Sequence, residues 1–173
     1  MEPVRIGILG AARIAPAAVV KPAGSMADAE VVAIAARDRD RAERFAARHR
    51  IPVVHDSYAD LLADPTIEAV YVPLPNGLHG HWTLAAIAAG KHVLCEKPFA
   101  ANAQEAAAVA AAADGSGLVV MEGFHDRYHP LAELMRSLVV EERVGRVQHI
   151  EARAEVPYPR RHDIRFDLDL AGG

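Results

Sequence analysis

One cysteine, Cys95, occurs in 173 residues, so the sequence builds neither an internal disulfide nor a multi-cysteine zinc site. Aromatic residues are scarce at 5%, which argues against a core of thick aromatic layers. Lysine is nearly absent: Lys21, Lys91 and Lys97 are the only three, so each invites a question. There is no long basic run, and the formal charge is −4, which speaks against a nucleic-acid partner or a polybasic membrane surface. Long apolar runs are missing too. Arg5 and Arg13 interrupt the N-terminal one, which reads poorly as a signal peptide and worse as a membrane span. The expectation is a cytoplasmic protein.

What is present is alanine, one residue in five, within a hydrophobic share of 51%. That composition favours closely packed helices and supports a buried core. Short β-branched runs alternate with helical stretches, the mark of a parallel α/β sheet. Strands are predicted at Val4–Leu9, Glu30–Ala36, Val53–His55, Ala69–Val72, His92–Cys95 and Leu118–Met121. Helices are predicted near Ala15–Lys21 (stopped by Pro22), over Asp40–His49, from a Ser57 cap through Ala63, and, separately, after the Pro73-Leu74-Pro75-Asn76-Gly77 turn as far as Ala89. A further helix has Asn102 and Glu105 as a capping box and ends at Asp114-Gly115. Six parallel strands with intervening helices predict a doubly wound Rossmann sheet over residues 1–123.

After Phe124 the rhythm changes, and residues 124–173 read as the start of an incomplete α+β second domain. Pro130 opens a helix whose Leu131, Leu134, Met135, Leu138 and Val139 form one stripe expected to be buried. Ile150, Ala152, Ala154 and Val156 alternate with His149, Glu151, Arg153 and Glu155, predicting a strand with no second strand to pair with.

Three constellations carry chemistry. The first, Gly7-Ile8-Leu9-Gly10-Ala11-Ala12-Arg13-Ile14-Ala15, follows the first strand and approximates a dinucleotide fingerprint. Gly10 takes the tight turn and Ala15 the small packing position, while Ala12 stands where a second glycine would admit the pyrophosphate. Gly10, Ala11, Ala12, Arg13 and Ile14 are the candidate phosphate-binding residues, at a helix N-terminus whose dipole favours anions. A plain strand–turn–helix is the simpler alternative.

The second constellation is Arg37-Asp38 at the tip of the second strand, where the adenosine ribose is read. A carboxylate there favours NAD and an arginine suits the 2′-phosphate of NADP. Arg37 comes first, so NADP is expected, with NAD as the alternative. A solvated helix entry is the plain reading, since Arg39, Asp40, Arg41, Glu43 and Arg44 continue the charges.

The third is Cys95-Glu96-Lys97-Pro98 at the carboxyl end of the fifth strand, where open parallel sheets bind ligands. Lys97 there suits acid–base work on a substrate hydroxyl. An ordinary surface lysine is the alternative. His125-Asp126-Arg127-Tyr128-His129 imitates a zinc-protease spacing, but Pro130 biases His129 away from helical geometry, so no metal site is expected.

Tyr71-Val72-Pro73-Leu74-Pro75-Asn76-Gly77-Leu78-His79, followed by Ala89-Gly90-Lys91-His92-Val93-Leu94-Cys95-Glu96-Lys97-Pro98, resembles the glucose-fructose oxidoreductase/inositol dehydrogenase (Gfo/Idh/MocA) family. The likeness is greatest to its dihydrodiol and xylose dehydrogenases; the Gly10–Ala15 turn and Arg127-Tyr128-His129-Pro130 match as well. The resemblance implies hydride transfer between a nicotinamide cofactor and a sugar or related alcohol. It implies Lys97 as the catalytic lysine and Glu96 beside the nicotinamide ribose. Pro73, Asn76 and His79 would lie near the cofactor, Arg37 near the adenosine ribose, and Arg127 would shape the site. The family continues beyond Gly172-Gly173 into a segment that completes the catalytic site and an open sheet that binds substrate and forms dimers. The expectation is therefore a truncated chain that does not turn over alone and a homo-oligomer only in a longer form. A non-catalytic nucleotide-binding remnant or regulatory module is the rival.

Overall fold

The computed structural model describes residues 2–155 and 163–172. Six strands form one parallel sheet: β1 (Val4–Leu9), β2 (Ala29–Ala35), β3 (Val53–His55), β4 (Ala69–Val72), β5 (His92–Cys95) and β6 (Val120–Glu122). Their order, β3-β2-β1-β4-β5-β6, is that of a doubly wound Rossmann sheet, as the alternating pattern predicts. The connections run outwards in both directions from β1 and β4, so a crevice opens beyond the carboxyl ends of those two strands.

The helices pack on both faces: α1 (Lys21–Ala23), α2 (Arg39–His49), α3 (Tyr58–Ala63), α4 (His79–Ala88) and α5 (Ala103–Ala113). Two apolar clusters form the core. One holds Leu9, Leu61, Ile67, Val70, Val72 and Val93; the other Ile8, Ala15, Ile34, Ala42, Ala46 and Tyr71. Small residues dominate the second cluster, so helix and sheet approach closely. The predicted caps at Ser57 and Asn102 form, accepting from Asp60 N and Glu105 N, and Asp38 adds a cap that was not predicted by accepting from Arg41 N. Lys91 is buried and donates to the carbonyls of Asp64 and Ile67, tying down the chain between α3 and β4.

Several boundaries differ from expectation by a residue or more, and two of them have a visible cause. The first helix does not stop at Pro22. A π-helical turn, Pro16–Val20, precedes α1, so Pro22 falls in a new first turn where its missing N–H has no role to fill. β6 begins two residues late because Val119 N donates to His92 Nδ1, and the ladder opens at Val93 with Val120.

Chain contacts divide the molecule into a first unit, residues 2–123 with 164–172, and a second within 124–163. The segment 164–172, which carries two short 3-10 turns, therefore groups with the sheet and not with the second unit. The second unit contains α6 (Pro130–Val140), and its expected buried stripe is exposed except at the half-buried Leu138, with Leu131 at 58% and Met135 at 60%. Residues 150–155 form no strand, because no ladder partner exists for them among the described residues. Val156, the last predicted strand position, and residues 157–162 lie outside the described residues. No helix of the described residues is long and apolar enough to cross a membrane.

Candidate nucleotide-binding and catalytic site

The crevice is lined by the turns leaving β1, β2, β4 and β5. After β1 the chain reverses at Gly10, whose φ of +107° suits glycine, and a Cβ there would lie 2.9 Å from Leu74 Cδ2 in the turn after β4. Ala11 and Ala15 are buried, Ala12 half-buried, and Arg13 and Ile14 exposed beside the start of the π-helical turn. Ala12 N donates to the Gly10 carbonyl at 2.9 Å, closing the turn. A turn of this shape, free of side-chain bulk at Gly10 and opening a helix, fits a dinucleotide pyrophosphate.

Arg37 and Asp38 have different duties. Asp38 is the N-cap of α2, accepting from Arg41 N at 3.0 Å, so its carboxylate is committed to the helix. Arg37 is exposed just beyond the end of β2. Arg41, which composition alone assigns to a solvated helix face, donates from Nη2 to the Ala11 carbonyl at 2.7 Å and braces the turn after β1. Tyr58 is held nearby. Burial pushes its hydroxyl above the ordinary tyrosine range, while the Arg37 backbone N–H bonded to it acts the other way.

Glu96 is buried at 7% exposure. Its Oε1 accepts from the Tyr71 hydroxyl at 2.8 Å and its Oε2 from Lys97 N at 3.2 Å. Burial raises the Tyr71 phenol well above its usual range, and the bond to Glu96 raises it further, so Tyr71 remains a donor. Sequence reasoning missed Tyr71. The signal was a tyrosine inside a buried strand, whose hydroxyl requires a partner.

Lys97 is exposed at the carboxyl end of β5, followed by a cis bond to Pro98. Pro73 is buried in the turn after β4. Asn76, half-buried, donates from Nδ2 to the Ala171 carbonyl at 3.3 Å. His79 is fully buried, with Nδ1 2.6 Å from the Pro98 carbonyl oxygen and Nε2 2.7 Å from that of Leu74. The fold thus brings the Gly10 turn, Arg37, Pro73, Asn76, His79, Glu96 and Lys97 to one end of one sheet. Arg127 belongs to the second unit, with its guanidinium 5.9 Å from the Tyr128 ring centre. His129, extended ahead of Pro130, caps α6 by accepting from Leu131 N. Among the described residues no group of three His, Cys, Asp or Glu is placed to hold a metal ion.

The model of the oxidoreductase family with an NAD-binding Rossmann fold matches residues 4–124. The chain belongs to the Gfo/Idh/MocA family. It is 46% identical over 168 residues to D-xylose 1-dehydrogenase (NADP(+)) 2 of Haloferax volcanii, covering 96% of this chain and 51% of that protein. It is 41% identical over 123 residues to trans-1,2-dihydrobenzene-1,2-diol dehydrogenase of Sus scrofa, covering 71% of this chain and 37% of that protein. Among solved structures, a 3-ketoreductase from Actinomadura kijaniata in complex with NADP superposes with a TM-score of 0.74 at 38% identity. That match covers 83% of this chain and 45% of the other. The family assignment and the sheet order agree with the fold expected from the motifs. The chain spans about half the length of the curated relatives it matches.

Proposed function

We propose that this chain is the cofactor-binding half of an NADP-preferring dehydrogenase acting on a sugar or related alcohol in the cytoplasm. The observation that carries the reading is the common placement of the Gly10 turn and Lys97 at carboxyl ends of strands, on either side of the point where the strand order reverses. The relatives, a xylose dehydrogenase that uses NADP(+) and a ketoreductase in complex with NADP, support both cofactor and substrate class.

The nicotinamide, when bound, supplies the hydride acceptor or donor. The residues of this chain do the rest. Gly10 to Ile14 receive the pyrophosphate at the helix start, with Arg41 holding the turn in shape. Arg37 pairs with the 2′-phosphate, while Asp38 holds the start of α2 through one carboxylate oxygen. Glu96, fixed by Tyr71, orders the peptide of Lys97 through its second oxygen. Lys97 moves the proton of the substrate hydroxyl, and Pro73 and Asn76 shape the wall beside it. The substrate is a small hydroxylated molecule, not a nucleic acid or a lipid surface.

The test uses the longest natural polypeptide that contains this sequence, assayed with aldoses and related diols and NADP. Reduction of NADP that disappears in Lys97→Ala, with NADPH affinity retained, supports the reading. Nucleotide binding with no turnover of any such alcohol by the intact polypeptide overturns the catalytic part and leaves a binding module.

A further inference from the structure

His79 opens α4 with both ring nitrogens against carbonyl oxygens, at 2.6 Å from Pro98 and 2.7 Å from Leu74, and with 1% of its surface exposed. A carbonyl only accepts, and a neutral imidazole carries one N–H. In a neutral ring, one of these contacts would set a nitrogen lone pair against an oxygen lone pair in a site without water to intervene. Both contacts are hydrogen bonds only when both nitrogens carry hydrogen.

The two carbonyls belong to different turns. Leu74 lies in the turn leaving β4, which continues into Asn76; Pro98 lies in the turn leaving β5, directly after Lys97. Leu74 also packs where a Cβ on Gly10 would sit, so the same ring is linked to the phosphate turn after β1. The charged groups on the surrounding elements are Glu96 and Lys97 at the end of β5, Glu105 on α5 and Glu122 on β6. The Glu105 carboxylate lies against Gly80, and Glu122 accepts from Phe99 N at 2.9 Å.

We propose that His79 is a positioning residue, a doubly protonated cross-brace that joins the turns after β4 and β5 and so fixes Asn76 relative to Lys97. It does not read the nucleotide itself; both of its nitrogens are taken by protein carbonyls. The brace stands on geometry alone, and only its consequence for nucleotide affinity rests on the proposed function.

The experiment is nuclear magnetic resonance on the intact chain labelled with nitrogen-15 at histidine, at neutral pH and without nucleotide. The expected spectrum shows hydrogen on both His79 ring nitrogens; a ring with one protonated nitrogen overturns the brace. In His79→Phe, which keeps a ring of similar size without donors, the Leu78 and Phe99 amides should exchange at least about 10-fold faster than in the parent. Unchanged exchange at both would show that the ring only fills space and overturns the proposal. Should His79→Phe fail to fold, His79→Gln and the parent spectrum still decide. NADPH affinity should fall about 10-fold in the variant. A parent chain that binds no NADPH defeats the functional reading, while the ring spectrum and the exchange rates continue to judge the brace.

Discussion

The Tyr71 hydroxyl on β4 donates at 2.8 Å to Oε1 of Glu96, the first residue after β5, and both side chains are buried. β4 and β5 pair in register at Tyr71 with Leu94, so the bond reaches two residues beyond that pair to the base of the Lys97 turn. Removing the hydroxyl leaves a buried carboxylate oxygen without its donor. Tyr71→Phe should therefore lower unfolding stability by about 1–3 kcal/mol, read from urea denaturation. Stability equal to the parent would show that this oxygen finds another donor.

Arg37 and Asp38 should separate cleanly. Arg37→Ala should weaken NADPH at least about 10-fold while changing NADH little, erasing the preference between the two. Asp38→Ala should leave the preference intact and lower stability by about 1 kcal/mol through the lost helix cap. Calorimetric titration and denaturation measure the two effects independently. A preference that survives Arg37→Ala would move the 2′-phosphate site elsewhere, with Arg41 the next residue to test.

Gly77 records the approach of the segment 164–172. A Cβ on Gly77 would lie 3.0 Å from the Leu170 carbonyl carbon and 3.2 Å from its oxygen, and both atoms are backbone. Gly77→Ala should push that segment away, breaking the bond from Asn76 Nδ2 to the Ala171 carbonyl. The Asn76 side-chain amide resonances should shift, and protease should cut near Leu168–Leu170 sooner than in the parent. Unchanged resonances would mean that the segment adjusts without leaving.

Much of this architecture was legible in the sequence because it depends on local rules. Val53–His55, Ala69–Val72 and His92–Cys95 are predicted and found with the same bounds, Ser57 caps its helix as its residue type suggests, and Asn102 caps the next as its spacing from Glu105 implies. The Gly10 turn and Lys97 were visible for the same reason, since strand ends and glycine turns announce themselves. The braces were not. Tyr71 meets Glu96 across 25 positions, Arg41 meets Ala11 across 30, and Asn76 meets Ala171 across 95. Such partners are fixed by tertiary placement, on which periodicity and capping are silent. The helix from Pro130 shows the converse: its amphipathic spacing correctly gives a helix, but burial of the stripe requires a neighbour that periodicity does not supply.

Cys95 predicts the alkaline behaviour of the fold. Burial pushes its thiol from 9.0 up to about 11; the Thr83 hydroxyl acts against this, and Glu96 and Glu122 add to it. Because the folded value lies above the unfolded one, the neutral thiol's contribution is complete below about pH 9 and is lost as pH rises through about 11. The melting temperature should fall across that window, by the equivalent of up to about 3 kcal/mol. Cys95→Ala should flatten the decline between pH 9 and 10, before Tyr71 also demands ionisation in the unfolded chain. An equally steep decline in the variant would place the alkaline sensitivity elsewhere.

The most direct test of the account is a titration of the chain with NADPH and with NADH under identical conditions. Saturable one-to-one binding of NADPH, tighter than that of NADH, is the predicted result. Failure of both nucleotides to bind the folded chain would contradict it.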